Sequence, residues 1–305
     1  MSSVKIAVTG EHGQLARSMK ETATQRAGFL LCCSSRVELD FATAEDQAIS
    51  SFLDQAAPDV VVSAAAYTNV DLAEEEQELA FQINGKVPRI LAREANRRGI
   101  PIIHVSTDYV FDGKTTQAYR ETDDVAPLNV YGASKLEGER AVRDEQPNHV
   151  ILRTSWLYSP YGRNFVTTML KLAEARSTID VVADQTGTPT SAQSLAEAIF
   201  EIALRLVRSK DGKIRGTFHA AGSGETNWAQ FARFIFKQSL APRVQRTVVK
   251  EITTRDFQSK SSRPAYSSLD SGKLMERYGV RLPCWQDDVT KVIAAIQRDR
   301  NAARE

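Results

Sequence analysis

Tyr131 and Lys135 stand four residues apart in Tyr131-Gly132-Ala133-Ser134-Lys135, so a helix would carry the phenol and the ammonium on one face. The pair suits proton transfer. A free phenol has a pKa of about 10, and a neighbouring cation favours the phenolate, so the tyrosine is expected to exchange its proton nearer neutrality. Hydride transfer to a ketone calls for such a donor, because the new alkoxide must take up a proton. A YxxxK spacing also arises by chance; here it is joined by Ser106-Thr107-Asp108-Tyr109-Val110-Phe111, directly after an apolar run. That position is the carboxyl edge of a sheet, where ligands of open α/β folds bind. Thr107 can give the substrate carbonyl a second hydrogen bond as charge develops on its oxygen.

A hydride donor needs its own site. Thr9-Gly10-Glu11-His12-Gly13-Gln14-Leu15-Ala16 has the spacing GxxGxxA between the first apolar run and the first amphipathic one. Glycines there permit a tight turn and let backbone N–H groups approach a pyrophosphate. His12 is read as exposed. At the end of the next run an acid would select the unphosphorylated dinucleotide; instead the chain reads Ser34-Ser35-Arg36. A guanidinium binds a ribose 2′-phosphate through two parallel hydrogen bonds, so Arg36 points to NADPH ahead of NADH. Asp40 and Phe41 are placed to meet the adenine, and Lys135 to hold the nicotinamide ribose.

These residues require a frame of strands ending on one edge and helices returning behind it. The first half supplies it: strands are expected at 4–9, 29–34, 59–65, 100–106 and 149–154, and helices at 15–26, 45–55, 75–98 (with a broken start) and 131–144. The fold class is therefore α/β, a Rossmann-type doubly wound parallel sheet. Beyond about residue 155 the alternation fades into Gly- and Pro-punctuated pieces, with helices expected at 165–175, 194–206, 228–238 and from 285 onward. We read residues 1–155 as the dinucleotide-binding domain and 156–305 as a smaller, mainly substrate-binding α/β lobe, partly interleaved with it.

Composition excludes other classes. Lys plus Arg number 39 against 38 Asp plus Glu, so the chain lacks the basic excess that binds nucleic acid or anionic lipid. No stretch approaches the roughly 18 apolar residues of a membrane span, and Met1-Ser2-Ser3-Val4-Lys5 carries no signal-peptide pattern, so a cytoplasmic location is expected. Cys32, Cys33 and Cys284 lack redox or zinc spacing and are expected as buried or partly buried thiols. His104, His149 and His219 are read as structural, and Glu74-Glu75-Glu76 as a solvated helix start.

Seven segments in order resemble the extended short-chain dehydrogenase/reductase superfamily, and within it the dTDP-4-dehydrorhamnose reductase family. They are the Gly10–Gly13 turn, Ala64-Ala65-Ala66-Tyr67-Thr68-Asn69-Val70-Asp71-x-Ala73-Glu74, STDYVFDG at 106–113, Ala126-Pro127-Leu128-Asn129-Val130-Tyr131-Gly132-x-Ser134-Lys135, Arg153-Thr154-Ser155-Trp156-Leu157-Tyr158, Asp184-Gln185-x-Gly187-x-Pro189-Thr190, and Arg263-Pro264-x-x-Ser267-x-Leu269-Asp270. The resemblance implies reduction of the 4-keto group of a dTDP-6-deoxyhexulose to dTDP-L-rhamnose. By the same carry-over Tyr131 is the proton donor, Lys135 its partner, and Thr107 tunes the donor. Thr107, Asp108 and Trp156 would face the sugar, with the indole over its ring. Gly10, Gly13, Gln14, Leu15, Asp40, Phe41, Ala66, Tyr67 and Thr68 would touch the cofactor. Asn84 matches an asparagine that could serve a proton relay, and Arg263 either reaches the nucleotide phosphates or braces the second lobe. Some relatives dimerise around a magnesium ion held by acidic side chains; Ser18 and Gln193 stand at two of those positions, so no metal is expected, and a monomer or weak homodimer is.

Three alternatives compete. A 4,6-dehydratase would follow its Thr-Asp with Glu, where Tyr109 stands. An epimerase shares YxxxK but is disfavoured by the segments at Trp156 and Gln185. A regulatory protein like the regulatory subunit of methionine adenosyltransferase shares the fold but would not need Thr107, Tyr131, Lys135 and Trp156 together.

Overall fold

A computed structural model describes residues 3–302; Met1 and Ser2, part of the N-terminal stretch considered above, lie outside the described residues. Its centre is a six-stranded, wholly parallel sheet. The strands are β1 (Val4–Thr9), β2 (Phe29–Ser34), β3 (Val60–Ser63), β4 (Ile102–Thr107), β5 (His149–Thr154) and, after an unlinked β6 (Thr178–Val182), β7 (Gly216–His219). The order across the sheet is β7-β5-β4-β3-β1-β2. β3 and β5 are buried along their whole length, as continuous Val/Ile/Leu runs covered on both faces must be. One face packs on the helices Gln14–Gln25 and Ala192–Arg208, the other on Asp46–Ala56, Val87–Arg97 and Val130–Glu145. The fold class is the one expected from the alternation in sequence; the sixth strand, β7, was not expected and comes from beyond residue 155.

The chain turns to opposite sides after β1 and β3, which are neighbours, and this opens a crevice at their carboxyl ends. The remaining elements form a second apolar cluster. In it the helices Phe165–Ala175, Trp228–Gln238 and Trp285–Ala302 close around β6 paired in parallel with β8 (Val248–Ile252). No described helix is long and apolar enough to cross a membrane.

Three local expectations are corrected. Cys32 and Cys284 are exposed, whereas Cys33 is partly buried as expected. β2 is the edge strand, and alternate residues of its run, Leu30 and Cys32, point to a side that no helix reaches. The expected 75–98 helix consists of Gln77–Phe81, a π-helical turn Gln82–Lys86, and Val87–Arg97. Nor are Glu74 to Glu76 merely solvated: Glu74 accepts the Val130 N–H at 3.0 Å, Glu75 pairs with Lys260, and Glu76 accepts the Tyr67 hydroxyl at 2.6 Å.

Candidate active site

A cleft of about 1000 Å³ runs along the carboxyl ends of the central strands, from the Gly10 turn to Trp228. At one end Gly10 adopts φ +84°, a left-handed conformation that glycine takes without penalty, and a Cβ there would lie 3.2 Å from the Cβ of Ala65. The two loops are tied by the Thr9 hydroxyl, which accepts the N–H groups of Ala64 and Ala65, each at 2.9 Å. Gly13 is the N-cap of the first helix, with no side-chain cap and no acid in the first turn. The backbone N–H groups of that turn have no side-chain acceptor from a cap, which fits a pyrophosphate.

Around this cradle the expected contacts divide. Gly10, Gly13, Leu15, Arg36, Asp40, Phe41, Ala66, Tyr67 and Thr68 all line the cleft. Arg36 stands on the rim with its side chain 80% exposed, its Nε 3.3 Å from Asp40. Gln14 lines the cleft too, but its side-chain oxygen is taken by Ser159 at 2.9 Å and Asn164 at 3.0 Å, so it braces the second lobe. Asn84 is held by three bonds: it accepts the Tyr67 N–H at 2.9 Å and donates to the Tyr67 carbonyl at 3.0 Å and to Ser134 at 2.9 Å. With both amide ends engaged it braces the Tyr67 loop. The π turn swings it inward, and Gly138 makes room, since a Cβ there would fall 2.2 Å from the Asn84 carbonyl oxygen.

The reacting groups meet where the loop after β4 presses on the Val130–Glu145 helix. Asn129 caps that helix by accepting the Gly132 N–H at 2.8 Å, which sets Tyr131 in the first turn. A Cβ on Gly132 would lie 2.2 Å from the Tyr109 carbonyl oxygen, so glycine is what lets the loop close. Thr107 is thereby brought against Tyr131. Its hydroxyl gives its one proton to Asp108 at 3.0 Å, and burial pushes Tyr131 up to about 12, with the neighbouring Thr107 opposing the shift. Asp108, wholly buried, is raised by burial to about 7 despite hydrogen bonds from Ser267 and Thr107, and its Oδ2 has no partner among the described residues.

Lys135 lies one turn beyond Tyr131 on the same helix. No hydrogen bond joins its ammonium to the Tyr131 phenol among the described residues. Lys135 instead donates to the Val105 carbonyl at 2.7 Å and lies 3.5 Å from His104 Nε2. Burial lowers it to about 8, opposed by Glu139 one turn further on. His104 is bonded to Ser63 at 3.1 Å and kept neutral by burial, so it packs behind the lysine as a structural group.

Sequence reasoning missed several groups. Glu139 and Arg153 form a fully buried two-point pair, 2.9 and 2.7 Å, and Glu139 also accepts Ser106 at 2.5 Å. The signal was the continued spacing of four through Tyr131, Lys135 and Glu139. Trp228, expected only as a helix start, lines the cleft beside Trp156. The indoles stack at 3.5 Å and 8°, so one face of Trp156 is covered by Trp228. Arg263 donates to Asp71 at 3.2 Å, which also binds Ser259 and Ser261 at 2.7 Å each, so it braces the second lobe. Ser18 is buried, Gln193 donates to Thr22 at 2.7 Å, and among the described residues no cluster of His, Cys, Asp and Glu could hold a metal ion.

The family described as RmlD substrate binding domain matches residues 4–298. A dTDP-4-dehydrorhamnose reductase of Sinorhizobium fredii is 43% identical over 293 residues, covering 96% of this chain and 98% of that protein. The crystal structure of a dTDP-4-dehydrorhamnose reductase from Clostridium acetobutylicum superposes with a TM-score of 0.88 at 34% identity, covering 96% of this chain and 100% of its own. That of the Bacillus anthracis dTDP-4-dehydrorhamnose reductase in complex with NADP also gives 0.88, at 31% identity over 97% of this chain and 100% of its own.

Proposed function

The chain belongs to the RmlD substrate binding domain family, and from that premise we propose that it is an NADPH-dependent oxidoreductase reducing the 4-keto group of dTDP-4-dehydro-6-deoxy-L-mannose to give dTDP-L-rhamnose. The observation that most supports this reading is the meeting of Thr107, Tyr131 and Lys135 on one wall of a cleft whose far end is an anion-ready glycine turn.

When bound, NADPH supplies the hydride. Gly10, Gly13 and the first-turn N–H groups bind its pyrophosphate, Arg36 the 2′-phosphate, and Ala66, Tyr67 and Thr68 line the path toward the nicotinamide. Tyr131 gives its proton to the oxygen at C4 of the sugar. Its elevated pKa keeps the phenol protonated, which is the form a donor needs before the alkoxide forms. Thr107 stabilises the developing charge from the other side. Lys135, cationic at neutral pH, holds the nicotinamide ribose and supplies positive charge once Tyr131 has lost its proton. Asp108 and Trp156 bound the sugar.

The test is oxidation of NADPH and of NADH by the purified protein with the 4-keto sugar nucleotide generated in place from dTDP-glucose. Turnover favouring NADPH is expected. Cofactor binding without turnover would overturn the reading and favour a regulatory role.

A further inference from the structure

The segment Asp184-Gln185-x-Gly187-x-Pro189-Thr190 takes no part in the proposed chemistry, yet its contacts converge on two side chains of the cleft. Trp156 and Trp228 stack face to face at 3.5 Å, an arrangement that ring quadrupoles disfavour relative to offset or edge contacts. Something must hold it. Trp156 itself has φ +46°, which a bulky residue adopts only when its surroundings impose it. The Thr190 N–H donates to the Trp156 carbonyl at 3.3 Å, and Ser155 donates to the Thr188 carbonyl at 2.5 Å, so the turn is pinned on both sides. A Cβ on Gly187 would fall 2.5 Å from Cε2 of the Trp156 indole, so only glycine fits against it. On the other ring, the Trp228 Nε1–H donates to Gln185 Oε1 at 3.1 Å; Gln185, itself buried, donates to Thr254 at 3.0 Å, and Thr254 donates to Asp184 at 2.7 Å. Trp285 is buried in the core, whereas Trp156 and Trp228 are half-buried and both face the cleft.

We propose that Gln185 and Gly187 are positioning residues for the sugar nucleotide: they hold Trp156 and Trp228 as one rigid two-indole wall, and Trp228 is a second aromatic element of the substrate site. The inference rests on the proposed function for the identity of that substrate. On this reading the wall governs how the sugar nucleotide is seated, whereas the glycine turn and Tyr131 govern cofactor binding and proton transfer.

The experiment compares the full-length wild type with Gln185→Leu, Gln185→Glu and Trp228→Phe. It measures the exciton couplet of the stacked indoles by circular dichroism, KM and kcat for the sugar nucleotide, and Kd for NADPH. Gln185→Leu should weaken the couplet and raise KM about tenfold, as loss of one buried hydrogen bond would, with kcat and the NADPH Kd within about threefold of wild type. Gln185→Glu, which keeps an oxygen for the indole N–H, should restore most of the couplet and of KM. Trp228→Phe should lose the couplet and raise KM similarly, and it serves if Gln185→Leu does not fold. An unchanged KM in Gln185→Leu and Trp228→Phe, or an equal loss of NADPH affinity, would overturn the proposal. If wild type shows no turnover, the proposed function fails by itself, and the couplet decides the positioning claim: unchanged in Gln185→Leu, it is wrong.

Discussion

The two walls of the cleft are built differently. On the side of the dinucleotide cradle most contributing groups sit where a strand ends: Gly10 and Gly13 after β1, Ala66 to Thr68 after β3, Thr107 and Asp108 at the end of β4, with Tyr131 and Lys135 on the helix that packs against them. Backbone conformation and strand register set most of these positions, and single side chains such as Thr9, Asn84 and Asn129 pin the loops in place. The opposite wall gathers Trp156, Asn164 and Trp228 from separate turns, and holds them through Gln14, Gln185 and Thr254. The first wall is thus a property of the fold and the second a property of particular side chains. Damage to the first should strike chemistry and cofactor, and damage to the second should strike substrate affinity.

The largest effect should come from Tyr131→Phe. Removing the proton donor is expected to lower kcat by about a thousandfold or more while NADPH still binds, read by steady-state rates beside cofactor titration. Near-normal turnover would show that the donor lies elsewhere and that the first wall does not carry the chemistry.

Next is Glu139→Gln, beneath the same wall. Arg153 would keep its charge in a dry site with half its partner gone, so stability should fall by about 3–5 kcal/mol in a denaturant titration. The variant also sharpens the role of Lys135. That lysine is cationic below its pKa of about 8 and loses its charge as the pH rises past it. Wild-type kcat/KM should therefore decline above about pH 8. Because the Glu139 carboxylate raises Lys135, its removal should shift that decline to lower pH. A limb that stays in place would sever Lys135 from the pH profile.

Arg36→Glu should invert cofactor preference, weakening NADPH by about ten- to a hundredfold relative to NADH through loss of a charge-assisted contact. An unchanged ratio of the two kcat/KM values would remove Arg36 from the phosphate site. The smallest effect is expected for Asn129→Ala, which strips the cap from the helix carrying Tyr131. It should cost about 1 kcal/mol, seen as a lower midpoint in thermal unfolding, with kcat falling as Tyr131 loosens.

The same contrast explains what the sequence made legible. Strands 4–9, 29–34 and 149–154 and the helices after them announce themselves by period and by glycine turns, so the sheet and the cradle could be read directly. Tyr131 and Lys135 could be read because one helix carries both. The second wall could not: its strands Thr186–Gly187 and Thr226–Asn227 are two residues long, and the stacking of Trp228 on Trp156 is a contact between distant segments. The exposure of Cys32 was hidden for another reason, since a lone apolar strand does not declare whether it lies at an edge. The direction of Lys135 escaped too, because a spacing of four fixes the face of a helix but not which acceptor on the neighbouring strand takes the ammonium.

The pairing of Val150 with Gly216 bears on how the chain is made as well as on its final form. A chain emerging from a ribosome would expose β5 as an open strand edge until β7 arrives, with the Trp156 turn, β6 and the Ala192–Arg208 helix synthesised in between. For that interval one unpaired edge of an apolar parallel strand is available to other nascent chains, a known route to misassembly. Substitutions that weaken β7 should therefore reduce the yield of soluble protein more than they reduce the stability of molecules that have already folded.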